Sequence, residues 1–185
     1  MTTLKPFRYG KSRELATTPI FRLQEIEAEH PRTGSLRPYV TLDAPDWVNL
    51  VALTPEGQLV LVRQWRHGTR RFELELPAGA IEPDETPEQS AARELLEETG
   101  YSATSIVRLG EVAPNAAFQG NRCYTVLAEG CRRTGETAFD EGEDIEIVLC
   151  SPAELRPQVG DTVINSMVIC GLYWWFERQG RVAWP

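Results

Sequence analysis

Residues 79–101 read GAIEPDETPEQSAARELLEETGY, and this stretch organises the rest of the chain. Thr86 is placed to cap a helix, Pro87 suits its first position, and Gln89 completes a capping box. Gly100 stands where a left-handed C-terminal cap belongs. The spacing therefore predicts a helix from about Pro87 to Thr99, with Ala91, Ala92, Leu95 and Thr99 on one apolar face. Glu94, Glu97 and Glu98 follow one another at i, i+3 and i+4 and crowd a different face. Like charges so spaced cost a helix roughly 0.2–0.5 kcal/mol per pair, and the helix dipole disfavours them in its C-terminal half. Arg93 reaches Glu97 at i+4, but Glu94 and Glu98 have no local cation. A face needed only for solubility would interleave lysines, whereas an oxygen-rich cluster suits a hard ion such as Mg²⁺ or Mn²⁺.

Strand signals surround this helix. Trp47 to Leu53 and Leu59 to Trp65 are apolar runs joined by the turn Pro55-Glu56-Gly57, which predicts a hairpin. Phe72, Leu74 and Leu76 alternate with Glu73 and Glu75, as in a strand buried on its apolar side. Further strands are expected at Ile106–Val112, Cys123–Ala128 and Ile145–Cys150, and a second helix from about Asp161 to Arg178. Its Met167, Ile169, Leu172, Trp174, Trp175 and Phe176 read as packing residues. Together these elements make a mixed α/β sandwich over residues 47–185. Residues 1–46 read differently: an irregular arm over 1–19, a strand over Ile20–Glu29, a turn at residues 30–35 and a returning strand over Tyr39–Leu42. An antiparallel appendage of that size is too short to bury a core alone, so it is expected to lean on the main body or on a second subunit, as a homodimer.

The whole chain is 185 residues, 42% apolar and 25% charged, which suits one domain with a small appendage. Lys and Arg number 19 against 27 Asp and Glu, a net charge of −8 with no basic block, which argues against nucleic acid or an acidic membrane as partner. An acidic protein still binds phosphate compounds when a divalent cation stands between them. The start, MTTLKPFRYGKS, carries no apolar segment of the secretory kind, and no run approaches the roughly 20 apolar residues of a membrane span. Cys123, Cys131, Cys150 and Cys170 form no CxxC pair, and the only histidines are His30 and His67, which argues against a zinc site. The cysteines are expected as reduced thiols in a cytoplasmic protein.

The stretch from Gly79 through Glu85 and Arg93-Glu94-Leu95-Leu96-Glu97-Glu98-Thr99-Gly100-Tyr101 resembles the Nudix hydrolase box, G-x5-E-x7-R-E-U-x-E-E-x-G-U with U bulky or apolar. Every fixed position is filled. The resemblance implies an α/β (α+β) fold, an α/β/α sandwich with a mixed sheet, here preceded by the small N-terminal antiparallel β segment. It implies hydrolysis of a nucleoside diphosphate linked to another group, with Mg²⁺ or Mn²⁺ on the box glutamates. By position, Glu94 and Glu98 are the first metal ligands and Glu97 the next, and Glu97 and Glu98 are counted among the catalytic residues. Glu85 and Arg93 brace the loop, Gly79 permits its turn, Gly100 closes the helix, and the Ala78 carbonyl is a further ligand.

The flanks narrow the resemblance. Gln64-Trp65-Arg66, then Glu75-Leu76-Pro77-Ala78-Gly79, is similar to the ADP-ribose pyrophosphatase group. That likeness implies a nucleotide-sugar substrate, a dimer built with the N-terminal segment, and Arg66 on phosphate or ribose. A surface arginine at a strand end is the competing reading. Asp140-Glu141-Gly142-Glu143-Asp144 resembles the acidic loop of that group, which implies Glu141 as general base and Glu143 as ligand, against a plain solvated turn. Trp47 is a stacking surface for a base or a packing residue, and Arg122 a polar reader of substrate or a turn residue. Pro114 comes 13 residues after Tyr101, earlier than the group's usual proline, so other substrates stay open: a dinucleoside polyphosphate, NADH or a damaged nucleotide. A non-catalytic nucleotide-sugar sensor is a further alternative, though such modules lose box glutamates and none is lost here.

Overall fold

Backbone pairing and side-chain contacts divide the chain into two units, Met1–Pro45 with Ala113–Arg122, and Asp46–Val112 with Cys123–Pro185. The computed structural model describes residues 3–180; residues 1–2 and 181–185, the outer ends of the two expected segments, lie outside the described residues.

The first unit is a three-stranded antiparallel sheet, β1 (Arg8–Thr17), β2 (Arg22–Glu29) and β3 (Leu36–Asp43), in the order β1-β2-β3. The turn between β2 and β3 is closed by His30, whose Nδ1 accepts the N–H groups of Arg32 and Thr33 at 3.2 and 3.3 Å. The irregular arm expected over residues 1–19 is corrected: most of it is β1. Its backbone pairs with β2 from Arg8 opposite Glu29 to Thr17 opposite Arg22, with two register shifts. Every β1 position is exposed, so no apolar alternation marked it. The segment Ala113–Arg122 is bonded to this sheet's end, with the Leu42 N–H donating to the Phe118 carbonyl at 2.8 Å and Asn121 Nδ2 to the Pro45 carbonyl at 2.9 Å.

The second unit runs β4 (Trp47–Leu53), β5 (Leu59–Arg66), β6 (Arg71–Glu75), β7 (Ala78–Ala80), α1 (Pro87–Thr99), β8 (Tyr101–Ser102), β9 (Ser105–Val112), β10 (Cys123–Glu129), β11 (Arg132–Arg133), β12 (Ile145–Cys150), α2 (Pro152–Leu155) and α3 (Ser166–Arg178). The main sheet has the order β12-β5-β4-β10-β9. Only β4 and β10 pair in parallel, so the sheet is mixed, as expected. Residues alternate across it. Val48, Leu50 and Ala52 join Ala91 and Leu95 of α1 in one core. Val51, Leu59, Leu61 and Leu127 join Val168, Leu172 and Trp175 of α3 in the other. Two buried faces on one sheet are what a layered α/β/α sandwich requires.

β4 and β5 pair only at Ala52–Val60 and Leu53–Leu59. Beyond that point they part, β5 taking β6 and β4 taking β7 as partners. The chain crosses this fork at Leu76-Pro77, where the Leu50 N–H donates to the Pro77 carbonyl at 2.9 Å. Backbone groups of β7 are thereby brought under α1.

The termini of α1 are as expected. The Thr86 hydroxyl accepts the Gln89 N–H, the Gln89 side chain returns to the Thr86 N–H, and Gly100 has φ 72°. A Cβ at Gly100 would come 2.5 Å from the Gly135 carbonyl oxygen. The expected faces need correction. Ala92 is exposed, and Glu98 joins Ser90, Ala91, Leu95 and Thr99 on the buried side. The second helix starts later than expected: Asn165 caps it, its side chain accepting the Met167 N–H at 2.9 Å, because residues 158–163 close a turn on themselves. The expected β6 alternation holds at Leu74 and Leu76, which join the α3-side core, and fails at its other positions. Phe72 is 64% exposed, while Glu73 and Glu75 are buried, each held by an arginine fork.

Leu95 lies wholly within the α1-side core and its neighbour Leu96 is partly exposed. Leu95→Ala is expected to cost about 2–5 kcal/mol and Leu96→Ala less than about 1 kcal/mol, read as midpoint shifts in urea unfolding at unchanged slope.

Candidate active site

Glu98 closes the site from below. It is 3% exposed, and its Oε2 accepts the Ala78 N–H at 3.0 Å. Burial pushes its carboxyl up to about 8; the Ala78 N–H pulls the other way, and the charges of Glu94 and Glu143 push it further up. Glu94 sits one turn earlier, against β7. A Cβ at Gly79 would overlap the Glu94 carboxylate, so a larger residue there would push that side chain off its present position. Glu94 is also raised by burial, with Arg93 lowering it and the charges of Glu97 and Glu143 raising it.

Arg93 organises the rim. Its Nε and Nη2 donate to Glu85 at 2.8 and 2.9 Å, and Nη2 also reaches the Ala80 carbonyl at 3.1 Å. Its Nη1 donates to Glu94 at 2.7 Å and Glu97 at 3.0 Å. One guanidinium thus ties the loop before α1 to the helix and offsets the like-charge cost of the glutamates. The Arg93 hydrogen bonds hold the Glu85 carboxyl down at about 2, against a smaller burial penalty. Among the described residues no three His, Cys, Asp or Glu side chains form a ligating group as they stand, because Glu94 and Glu97 are turned onto Arg93.

Arg66 ends β5 beside the same fork. Burial pulls its pKa down, but hydrogen bonds and charge from Glu75 outweigh that and leave it raised, with Glu98 and Glu143 adding in the same direction. Arg66 therefore lies within electrostatic reach of both site acids. Of the two loop acids, Glu143 is the one whose charge is felt by Glu94, Glu98 and Arg66. Its Oε2 accepts the Asp140 N–H at 3.0 Å. Glu141 is exposed and makes no hydrogen bond or ion pair among the described residues; Gly142 between them has φ 98°. Trp47 is half-buried at the start of β4, opposite Ala80 of β7. Arg122 is exposed and belongs to the other unit.

Two residues of this region were given no role by the sequence. Glu75 and Asn165 meet at 2.8 Å, though they lie far apart in sequence, on β6 and at the cap of α3. Asn49 acts nearby, its Nδ2 donating to the Met167 carbonyl at 2.9 Å. The four cysteines are free thiols, and burial raises Cys123 to about 12 and Cys131 to about 11, far from a reactive thiolate.

The chain is similar to known proteins. The NUDIX domain model matches residues 45–167. An ADP-ribose pyrophosphatase from Mycobacterium tuberculosis is 31% identical over 90% of this chain and 81% of that protein. An ADP-ribose pyrophosphatase from Bacillus subtilis is 35% identical, the match spanning 56% of this chain and just 57% of that protein. A solved structure described as an ADP compounds hydrolase has a TM-score of 0.85, covering 98% of this chain and 100% of that one; at 24% identity it speaks for the fold.

The Glu85–Arg93 pair sets a pH dependence. A carboxyl held near 2 when folded, against about 4.5 otherwise, contributes stability that is complete above about pH 4.5 and lost as pH falls toward 2. Glu85→Gln is expected to lose about 1–3 kcal/mol at pH 7. In urea unfolding from pH 7 to pH 3, its deficit against the unmodified protein should shrink steadily below about pH 4.5.

Proposed function

The chain belongs to the Nudix family, and from that premise we propose that it cleaves the pyrophosphate bond of ADP-ribose or a related nucleoside diphosphate sugar, with Mg²⁺ or Mn²⁺. The observation that supports the proposal is that Glu98 bonds the Ala78 N–H, Glu94 lies against Gly79 and Arg66 ends β5 beside one fork in the sheet, with the charge of Glu143 acting on all three. The two ADP-ribose pyrophosphatase relatives support the choice of substrate.

The donor set fits a hard divalent cation. Glu98 and Glu94 are carboxylates withdrawn from water, the charge of Glu94 bears on Glu98, and the charge of Glu143 adds to both. Glu94 and Glu98 would hold the ion first, with Glu97, Glu143 and the Ala78 carbonyl as further donors. When bound, the ion neutralises diphosphate charge and activates water for in-line attack. The chain's own groups do the rest. Arg66 offers a forked donor to phosphate or ribose oxygens. Glu141, without a partner among the described residues and beside the positive-φ Gly142, takes the proton of the attacking water. Trp47 offers a half-buried ring to the base.

The first unit fits a dimer. Tyr9, Leu36, Tyr39 and Val40 are exposed large apolar residues on a sheet that buries little of itself. A second copy is the proposed cover for that surface. Free thiols throughout suit a reducing, cytoplasmic setting, and among the described residues no helix is long and apolar enough to cross a membrane.

Purified protein with Mg²⁺ or Mn²⁺ should convert ADP-ribose to AMP and ribose 5-phosphate, and EDTA should stop it. Preference for a dinucleoside polyphosphate or NADH in the same panel would replace the substrate assignment. Glu98→Gln should lower kcat by several orders of magnitude with an unchanged or higher Tm, because it removes a buried ionisable carboxyl while keeping an acceptor for the Ala78 N–H. Sedimentation at micromolar concentration should give a dimer; a monomer would end the dimer proposal.

A further inference from the structure

Glu75 is 2% exposed and has a complete set of partners. Arg66 donates to it through Nε, at 3.1 and 3.0 Å, and through Nη2, at 2.6 Å. Asn165 Nδ2 donates to Glu75 Oε1 at 2.8 Å, while Asn165 Oδ1 accepts the Met167 N–H that starts α3. The Asn49 bond to the Met167 carbonyl fixes that helix end from a second direction. Glu75 is thus an anchored carboxylate at the buried end of an arginine whose side chain remains 44% exposed.

The alternative partners of Arg66 are close. Glu98 and Glu143 both act on its charge. An arginine free to turn would settle on them, as Arg93 has settled on Glu94 and Glu97. The two-bond fork to Glu75 takes the Nε–Nη2 edge and leaves the Nη1 edge for an incoming anion.

We infer that Glu75 is a positioning residue: anchored by Asn165, it holds Arg66 with one edge toward the site and keeps that guanidinium off Glu98 and Glu143. The inference deepens the proposed function, since it rests on Arg66 meeting the diphosphate substrate and on the acids meeting the cation.

Glu75→Gln removes the charge and half the fork at nearly constant volume. Steady-state kinetics with ADP-ribose should show KM raised about tenfold or more and kcat changed by less. Arg66→Ala should cost several-fold less in the Glu75→Gln background than alone, because both variants remove one arrangement. Asn165→Ser keeps a capping oxygen for α3 and loses only the amide donor to Glu75, so a smaller rise in KM at unchanged Tm is expected. Independently of turnover, Mn²⁺ titration of the nucleotide-free protein, followed by electron paramagnetic resonance, should show binding several-fold weaker in Glu75→Gln, where Arg66 competes for the acids. Additive losses from Arg66→Ala and Glu75→Gln, or a kinetic defect matched by a lowered Tm and absent in Asn165→Ser, would overturn the inference. If the unmodified protein leaves ADP-ribose intact, the substrate reading falls. The Mn²⁺ arm then decides alone: weaker binding in Glu75→Gln upholds the inference, and equal binding, or none in either protein, overturns it.

Discussion

The carboxylate of Glu98 is the constraint around which the second unit is built. It sits on the packing face of α1, beside Ala91 and Leu95, where an aliphatic residue would be the stable choice. A charge there loses its hydration, and the single N–H of Ala78 returns only part of it. The arrangement persists because the sheet forks above the helix. After β6 the chain leaves β5 and lies on β4 as β7, whose Ala78 N–H meets the Glu98 carboxylate. A regular β4–β5 ladder would have closed that position. The site is therefore a consequence of sheet irregularity, with the helix supplying the acids and the fork supplying the backbone.

The legibility of this design follows from how local each cause is. The helix was readable because Thr86, Gln89 and Gly100 act within a few residues of one another, and the observed caps use those groups. The mixed sheet and its flanking helices were readable because β4 and β5 are apolar runs, as strands covered on both faces are. The β6 alternation misled for a non-local reason. Phe72 points out and Glu73 and Glu75 point in, because Arg71 and Arg66 neutralise the two acids and make their burial tolerable. Strand β1 was missed because backbone pairing alone makes it, with no buried side to leave a pattern. The pairing of Glu75 with Asn165 joins two elements that only the folded chain brings together.

The same distinction separates the acids of the site. Glu94, Glu97 and Glu98 look equivalent in a spacing argument, yet the structure gives each a different environment. Glu97 is half in water and paired; Glu94 is paired but withdrawn; Glu98 is withdrawn with no arginine bonded to it. An ion entering the site would gain most from Glu98, whose charge is least compensated, and would have to compete with Arg93 for Glu94. Spacing along a helix names the candidates, and the neighbours across the fork rank them.

Two arginines divide the surrounding charge, and the division itself has a logic. Arg93 binds Glu85, Glu94 and Glu97, so it offsets the helix's own repulsion and pins the loop before it. Arg66 binds Glu75, an acid outside the helix, and so adds positive charge near Glu98 without occupying it. Had both arginines paired with helix glutamates, most of the cluster's charge would be offset and its pull on a cation weakened. Had neither paired, the desolvated acids would sit without compensation and favour protonation over charge. Assigning one arginine to the helix and the other to a separate buried carboxylate leaves Glu98 and Glu143 as the uncompensated pair. That intermediate charge balance is what a site needs if it is to attract a divalent cation and still admit a diphosphate.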